Sequence, residues 1–338
     1  MRHLSCGALA GLLSAVAGLT GCTTLSTPVT PSSPSSPTTP VACKLDTPVA
    51  ASAGYAYVCV DVTGGAPTPS YIDSYPLNVN GTNAGKTAYT FPSGTCGHIT
   101  GDGAGNIYQV ALGTPATNIT VYEFAANAGT LSPKRQFTAT LSSEEVVPAA
   151  DRNGNLYLQE SNNSLVMFNA LASGPATPAM TLTMPSAFTY MATDPSNNLY
   201  ALEGSHVLEF ADGFKTATPS KTMDVSSSIP SGATALALDN CGNVGISAET
   251  SGVPSIYFYP PEVNGTATPT HSITGTGYFV QPTDLFIDSM GTTTVFDGNN
   301  GGSIFVDRYA SDAEGDATPT YRYNEELSGQ HPNRSVVY

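Results

Sequence analysis

Glu160 and Glu203 each follow a tyrosine by three positions, and Asp297 holds the same place in a later, similar segment. The corresponding positions elsewhere are Val60, Ala111 and Ala248. Carboxylates at one depth of neighbouring repeats form a partial ring of hard oxygen ligands, which suits Ca²⁺. The same residues also suit the bracing of a turn, and both readings stand. Asn299 lies in the run Asp297-Gly298-Asn299-Asn300-Gly301-Gly302. That run matches a Ca²⁺ loop in part, lacks the distal Glu and reads equally as a hairpin turn. His98 and His331 precede apolar strands, with Glu144, Glu145 and Asp284 in comparable connections. A histidine beside a carboxylate is suited to proton transfer, or to contact with a ligand. The sequence holds no Gly-x-Ser-x-Gly elbow, phosphate loop or zinc spacing. It therefore calls for no catalytic residue, metal or cofactor.

The elements that hold these residues repeat. A short apolar run, an Asp, two loose residues, Gly or Asn, and a second apolar run recur around Asp102, Asp151, Asp194, Asp239 and Asp288, at intervals of 43 to 49 residues. The five aspartates read as structural, because Asp bonds nearby backbone N–H groups and Gly or Asn accepts positive φ. That period belongs to paired helices or to four-stranded propeller blades. The runs are short, β-branched and aromatic, and none is apolar at helical spacing over three turns, so they are strands.

One unit reads as an inner strand at 146–150, a turn, a second strand at 155–159, a third at 164–168 and a fourth at 179–184. Ala-Thr-Pro precedes the fourth strand at 176–178, 217–219, 267–269 and 317–319, and Leu131-Ser132-Pro133 takes that place in the second unit. A sixth, divergent unit lies before Asp102. It has no convincing inner strand, since Leu45-Asp46-Thr47-Pro48-Val49 is a poor one. The segment at 281–287 aligns without a gap on 331–337, leaving one strand spare at the end of the chain. The expected fold is all-β: a six-bladed β-propeller of four-stranded antiparallel blades, closed by the C-terminal strand entering the first blade.

Asp-x-x-Gly-Asn-Leu-Tyr, followed by a third strand ending near Tyr or Phe, resembles the NHL-repeat propellers over residues 55–338. The resemblance implies architecture more than chemistry, because that family spans scaffolds, binding domains and a few enzymes.

Residues 1–21 have a short basic start and an apolar core too short to span a bilayer. They end in Leu19-Thr20-Gly21-Cys22, which resembles the bacterial lipobox. That resemblance implies a signal peptide cut before Cys22, a lipid on its sulfur and, with Thr23 following, the outer membrane in preference to the inner. Residues 22–40 are rich in Ser, Thr and Pro and read as a disordered tether. Residues 41–338 form the single propeller domain.

The chain has 11 basic and 26 acidic residues, net −15, which argues against nucleic acid and against anionic lipid headgroups. Cys43, Cys59, Cys96 and Cys241 suggest disulfides outside the cytoplasm. Strand order brings Cys59 and Cys96 to one face, and leaves Cys43 and Cys241 as the other pair. The expected function is a lipid-anchored cell-envelope module that binds or scaffolds without catalysis. Its partners are the membrane through the lipid and an envelope protein or glycan, and the expected state is a monomer. The alternatives are a Ca²⁺-dependent propeller enzyme of lactonase or lyase type with its site at the pore mouth, and a structural or adhesive surface protein.

Overall fold

The computed structural model describes residues 54–337 apart from 63–69, 83–84, 93–94, 128, 231, 262, 276, 281, 300–302 and 327–329. The chain divides into Met1–Ala42 and Cys43–Tyr338, and every described residue belongs to the second unit. Cys22, the signal and tether segments, and Cys43 lie outside the described residues, as do the side chains of Asn299 and His331.

Six sheets make six blades. The third shows the plan: inner strand Glu145–Ala150, then Leu156–Glu160, Ser164–Phe168 and outer strand Met180–Thr183. Each strand pairs antiparallel with the next. The inner strands of the other blades, second to sixth in order, are Thr95–Gly101, Tyr190–Thr193, Ala233–Leu238 and Pro282–Ile287. The first blade takes its inner strand, Gln330–Val337, from the far end of the chain. It pairs antiparallel with Tyr55–Val62, Ala56 opposite Val337 and Val62 opposite Gln330. Neighbouring inner strands touch all the way round, and the sixth touches that of the first, so the ring closes. The fold is a six-bladed β-propeller.

Two details depart from the sequence reading. Three blades have a fifth, two-residue strand that is parallel and comes from the blade that follows. In the second blade, Leu131-Ser132-Pro133 is no connector. The third strand, Asn118–Asn127, runs into a tight turn at Gly129, and the outer strand Thr130–Thr140 already contains the proline. Pro133 faces Phe124 where the register shifts, a bulge that tolerates a residue without an N–H.

The core lies between blades. Tyr57, Cys59, Phe91, Cys96 and Phe124 pack the first against the second, and Val110, Phe137, Leu158 and Phe168 the second against the third. Val147, Tyr157, Leu199 and Phe210 fill the next seam. Blades approach closely there: a Cβ on Gly245 would lie 2.8 Å from Cδ1 of Ile287. Cys59 and Cys96 are joined by a disulfide across the first seam, with Cα atoms 5.9 Å apart. Cys241 is also disulfide-bonded, and its partner lies outside the described residues.

Candidate functional site

The five turn aspartates share one construction. Oδ1 of Asp102 accepts the N–H groups of Ala104 and Asn106, and Oδ2 accepts the Asn106 side-chain amide at 2.6 Å. Asp151, Asp194 and Asp239 repeat this with Asn155, Asn198 and Asn243. The residue three after each Asp has positive φ: Gly105, Gly154, Asn197, Gly242 and Gly291. Only glycine, or a small polar residue such as Asn, takes that conformation readily. In the sixth blade Thr292 replaces the Asn. Its N–H still bonds Asp288, and Arg308 supplies the missing donor to Oδ2 at 2.9 Å.

These turns ring the mouth of a central cavity of about 330 Å³. All six inner strands contribute to its wall, which is small and apolar at Ala149, Ala150, Met191, Ala237, Leu285 and Val337. Its inner end is crossed by a hydrogen bond from the Tyr190 hydroxyl to Oδ1 of Asp284, 2.8 Å, linking the fourth blade to the sixth. Arg152 lies over the outer end. Its backbone N–H is held by Asn197, its guanidinium reaches Asn240 of the fifth blade at 3.4 Å, and a Cβ on Gly103 of the second would lie 3.5 Å from Nε. Arg152 is the only basic residue among the described residues that line the cavity.

The carboxylates singled out by spacing do not line this cavity. Glu160 accepts the N–H of Ser142 at 2.9 Å and the Ser142 hydroxyl. Asp297 accepts the N–H of Val280 at 2.8 Å. Each thus braces the connection that leads into its own blade. Glu203 is the register partner of His206 across a hairpin. No group of three His, Cys, Asp or Glu among the described residues is placed to hold a metal ion. His98 has a partner that spacing did not assign: its Nδ1 lies 2.8 Å from Oε2 of Glu145, between the second and third blades, and the Glu145 side chain is fully buried. His98, Tyr190 and Asp284 all stand four residues before a turn aspartate. That shared offset is the sequence signal for the polar level of the channel.

Burial perturbs two groups in the sixth blade. Asp307 is fully buried, neither oxygen has a hydrogen bond, and Nε of Arg322 is 3.6 Å away. Desolvation pushes its carboxyl up to about 7, against the pull of Arg322. The Tyr309 hydroxyl is raised for the same reason.

No protein-family model matches the chain, and no curated protein matches it. Among solved structures it is similar to the WD40 domain of coronin from Toxoplasma gondii, at 10% identity and a TM-score of 0.44. The match covers 69% of this chain and 59% of that one.

Proposed function

We propose that this protein is an NHL-like propeller, anchored by lipid at Cys22 in the bacterial cell envelope, that acts as a non-enzymatic binding or scaffold module. The observation that carries the reading is the state of the mouth carboxylates. Each already accepts two backbone N–H groups and a side-chain donor, so their chemistry goes into building a rigid rim. What remains at the mouth is a shaped recess, polar and apolar in equal measure, under a single guanidinium, an arrangement suited to recognition. The location rests on Leu19-Thr20-Gly21-Cys22 and the Ser/Thr/Pro segment after it. An envelope protein or glycan is the proposed partner, and the outer membrane the favoured surface.

The experiment has two arms. Cys22→Ala is expected to lose acyl labelling and to leave the membrane fraction; unchanged labelling removes the anchor. Calorimetry with Ca²⁺ on the purified full chain is expected to give no heat. Saturable heat, together with turnover of a lactone or glycan, would replace the binding module with the metal-dependent enzyme.

A further inference from the structure

The repeated Gly-x-Ala-Thr-Pro connector has a job that neither the turns nor the cavity uses. Gly174-Pro175 of the third blade pairs parallel with Phe137-Thr138, on the outer strand of the second. Gly265-Thr266 of the fifth pairs in the same way with Met223-Asp224 of the fourth, and Gly315 of the sixth bridges to Ile273 of the fifth. Gly81-Thr82 of the first pairs with Tyr323-Asn324 of the sixth. Four blades therefore have their outer edge covered by the blade that follows. The glycine has positive φ in every case, between 59° and 112°.

The fourth blade departs from this. Its connector, Lys215-Thr216-Ala217-Thr218-Pro219, keeps Thr-Ala-Thr-Pro but has Lys where the others have Gly. Its own glycine lies two residues earlier. There the carbonyl of Gly213 accepts the Tyr157 hydroxyl at 3.1 Å, and a Cβ would lie 2.6 Å from that oxygen. Asp212, Gly213 and Phe214 all take positive φ, and Phe214 is fully buried against Phe210. A bulky residue is strained there, and the connector is held inward, off the edge of the third blade.

That edge is consequently open. Met180–Thr183 ends its sheet, and among the described residues no segment pairs with its outer side. The ladder turns the N–H and C=O of Thr181 and Thr183 outward, and both residues are exposed. Their counterparts in covered blades bond the incoming connector: the carbonyl of Asp224 accepts Ala267 N–H, and Thr274 N–H donates to Gly315. A cleft of about 360 Å³ lies alongside, lined in part by Met167, Met180, Gly213, Phe214 and Lys215. The first blade's outer strand, Lys86–Thr90, also ends its sheet, but it faces the outer strand of the second blade instead of a connector.

We propose that the outer edge of the third blade is a docking site for an extended segment of a partner polypeptide, led by glycine and continued by small or β-branched uncharged residues, which adds parallel to Met180–Thr183. The molecule itself shows the chemistry of the occupant, because its own segments Gly265-Thr266 and Gly81-Thr82 sit on equivalent edges. Strand addition to an open edge draws its affinity from main-chain hydrogen bonds and its selectivity from side-chain fit. The proposal deepens the binding-module reading, and it is read out independently of Cys22 lipidation and of the cavity.

The test uses the full chain and the capped peptide Asn-Gly-Thr-Ala-Thr-Pro, followed by hydrogen exchange of the segment spanning Met180–Thr183. The peptide is expected to bind saturably and to slow exchange at Thr181 and Thr183, while a peptide with Val in place of Gly does neither. In Lys215→Gly the chain's own connector reaches the edge, so exchange slows without peptide and affinity falls by about tenfold. Three results overturn the proposal: no protection by millimolar peptide, equal protection by the Val peptide, or slow exchange at this edge in the unaltered protein alone. The Val control decides the matter even if Lys215→Gly fails to fold.

Discussion

The third and sixth blades follow one plan on different supports. Around Asp151 every donor lies within six residues: Asn153, Asn155 and the Tyr157 hydroxyl. Around Asp288 the side-chain donor comes from Arg308, on another strand. The third blade draws its four strands from one stretch of chain and leaves its edge open, whereas the sixth is covered by Gly81-Thr82 from the far end. The repeat thus preserves an acceptor with its donors satisfied, and the identity of the donor is free to change. Arg308 ties the Asp288 turn to another strand of its own blade, and Gly81-Thr82 ties the sixth blade to the closure of the ring.

The largest expected effect tests that tie. Deleting residues 334–338 removes half of the strand that closes the first blade, and should lower stability by at least about 4 kcal/mol through lost burial and pairing. In hydrogen exchange the sixth blade should open before the third. A truncated protein that melts at the parent temperature would show that closure supports neither. The next pair compares the turns directly. Asp151→Ala orphans three donors, since the Tyr157 hydroxyl keeps the Gly213 carbonyl, and should cost about 2–3 kcal/mol; Asp288→Ala, half-buried, should cost about 1–2 kcal/mol. Of the supporting donors, Arg308→Ala should lose part of its effect in high salt, and Asn155→Ala should not. Denaturant titrations at two ionic strengths distinguish them, and equal salt dependence would erase the distinction.

The smallest effect concerns Asp307. An unfolded chain ionises this carboxyl near 3.8, the folded one near 7. Between those values the native state holds more protons than the unfolded state, so the contribution of Asp307 falls as pH rises from about 4 to 7 and is level above. Asp307→Asn should therefore be neutral at pH 4 and stabilising by about 1–2 kcal/mol at pH 8. Arg322, a third exposed and stacked on Phe305, keeps its hydration when that partner goes. A gain that does not grow with pH would mean Asp307 is ionised and paired in the sixth blade.

The blades and their closure were legible because period, turn chemistry and a spare terminal strand are one-dimensional signals. The parallel fifth strands were not. Gly-x-Ala-Thr-Pro shows where a connector runs, but the strand it meets belongs to another blade, and only the ring brings the two together. The same holds for Arg308 in place of an asparagine, for Tyr190 reaching Asp284 and for His98 beside Glu145. Each pair is separated by 20 to 94 residues, and no local spacing encodes it. Glu160 and Asp297 show the reverse case: their shared position is real, and it reflects a brace beneath the approach to the third and the sixth blades.

The first blade is built from Tyr55–Val62 and Gln330–Val337 together. In a polypeptide made amino end first, Gln330–Val337 emerges after every other strand of the six sheets, so the first blade receives its inner strand last. Completion is a single late event, like fastening a bracelet.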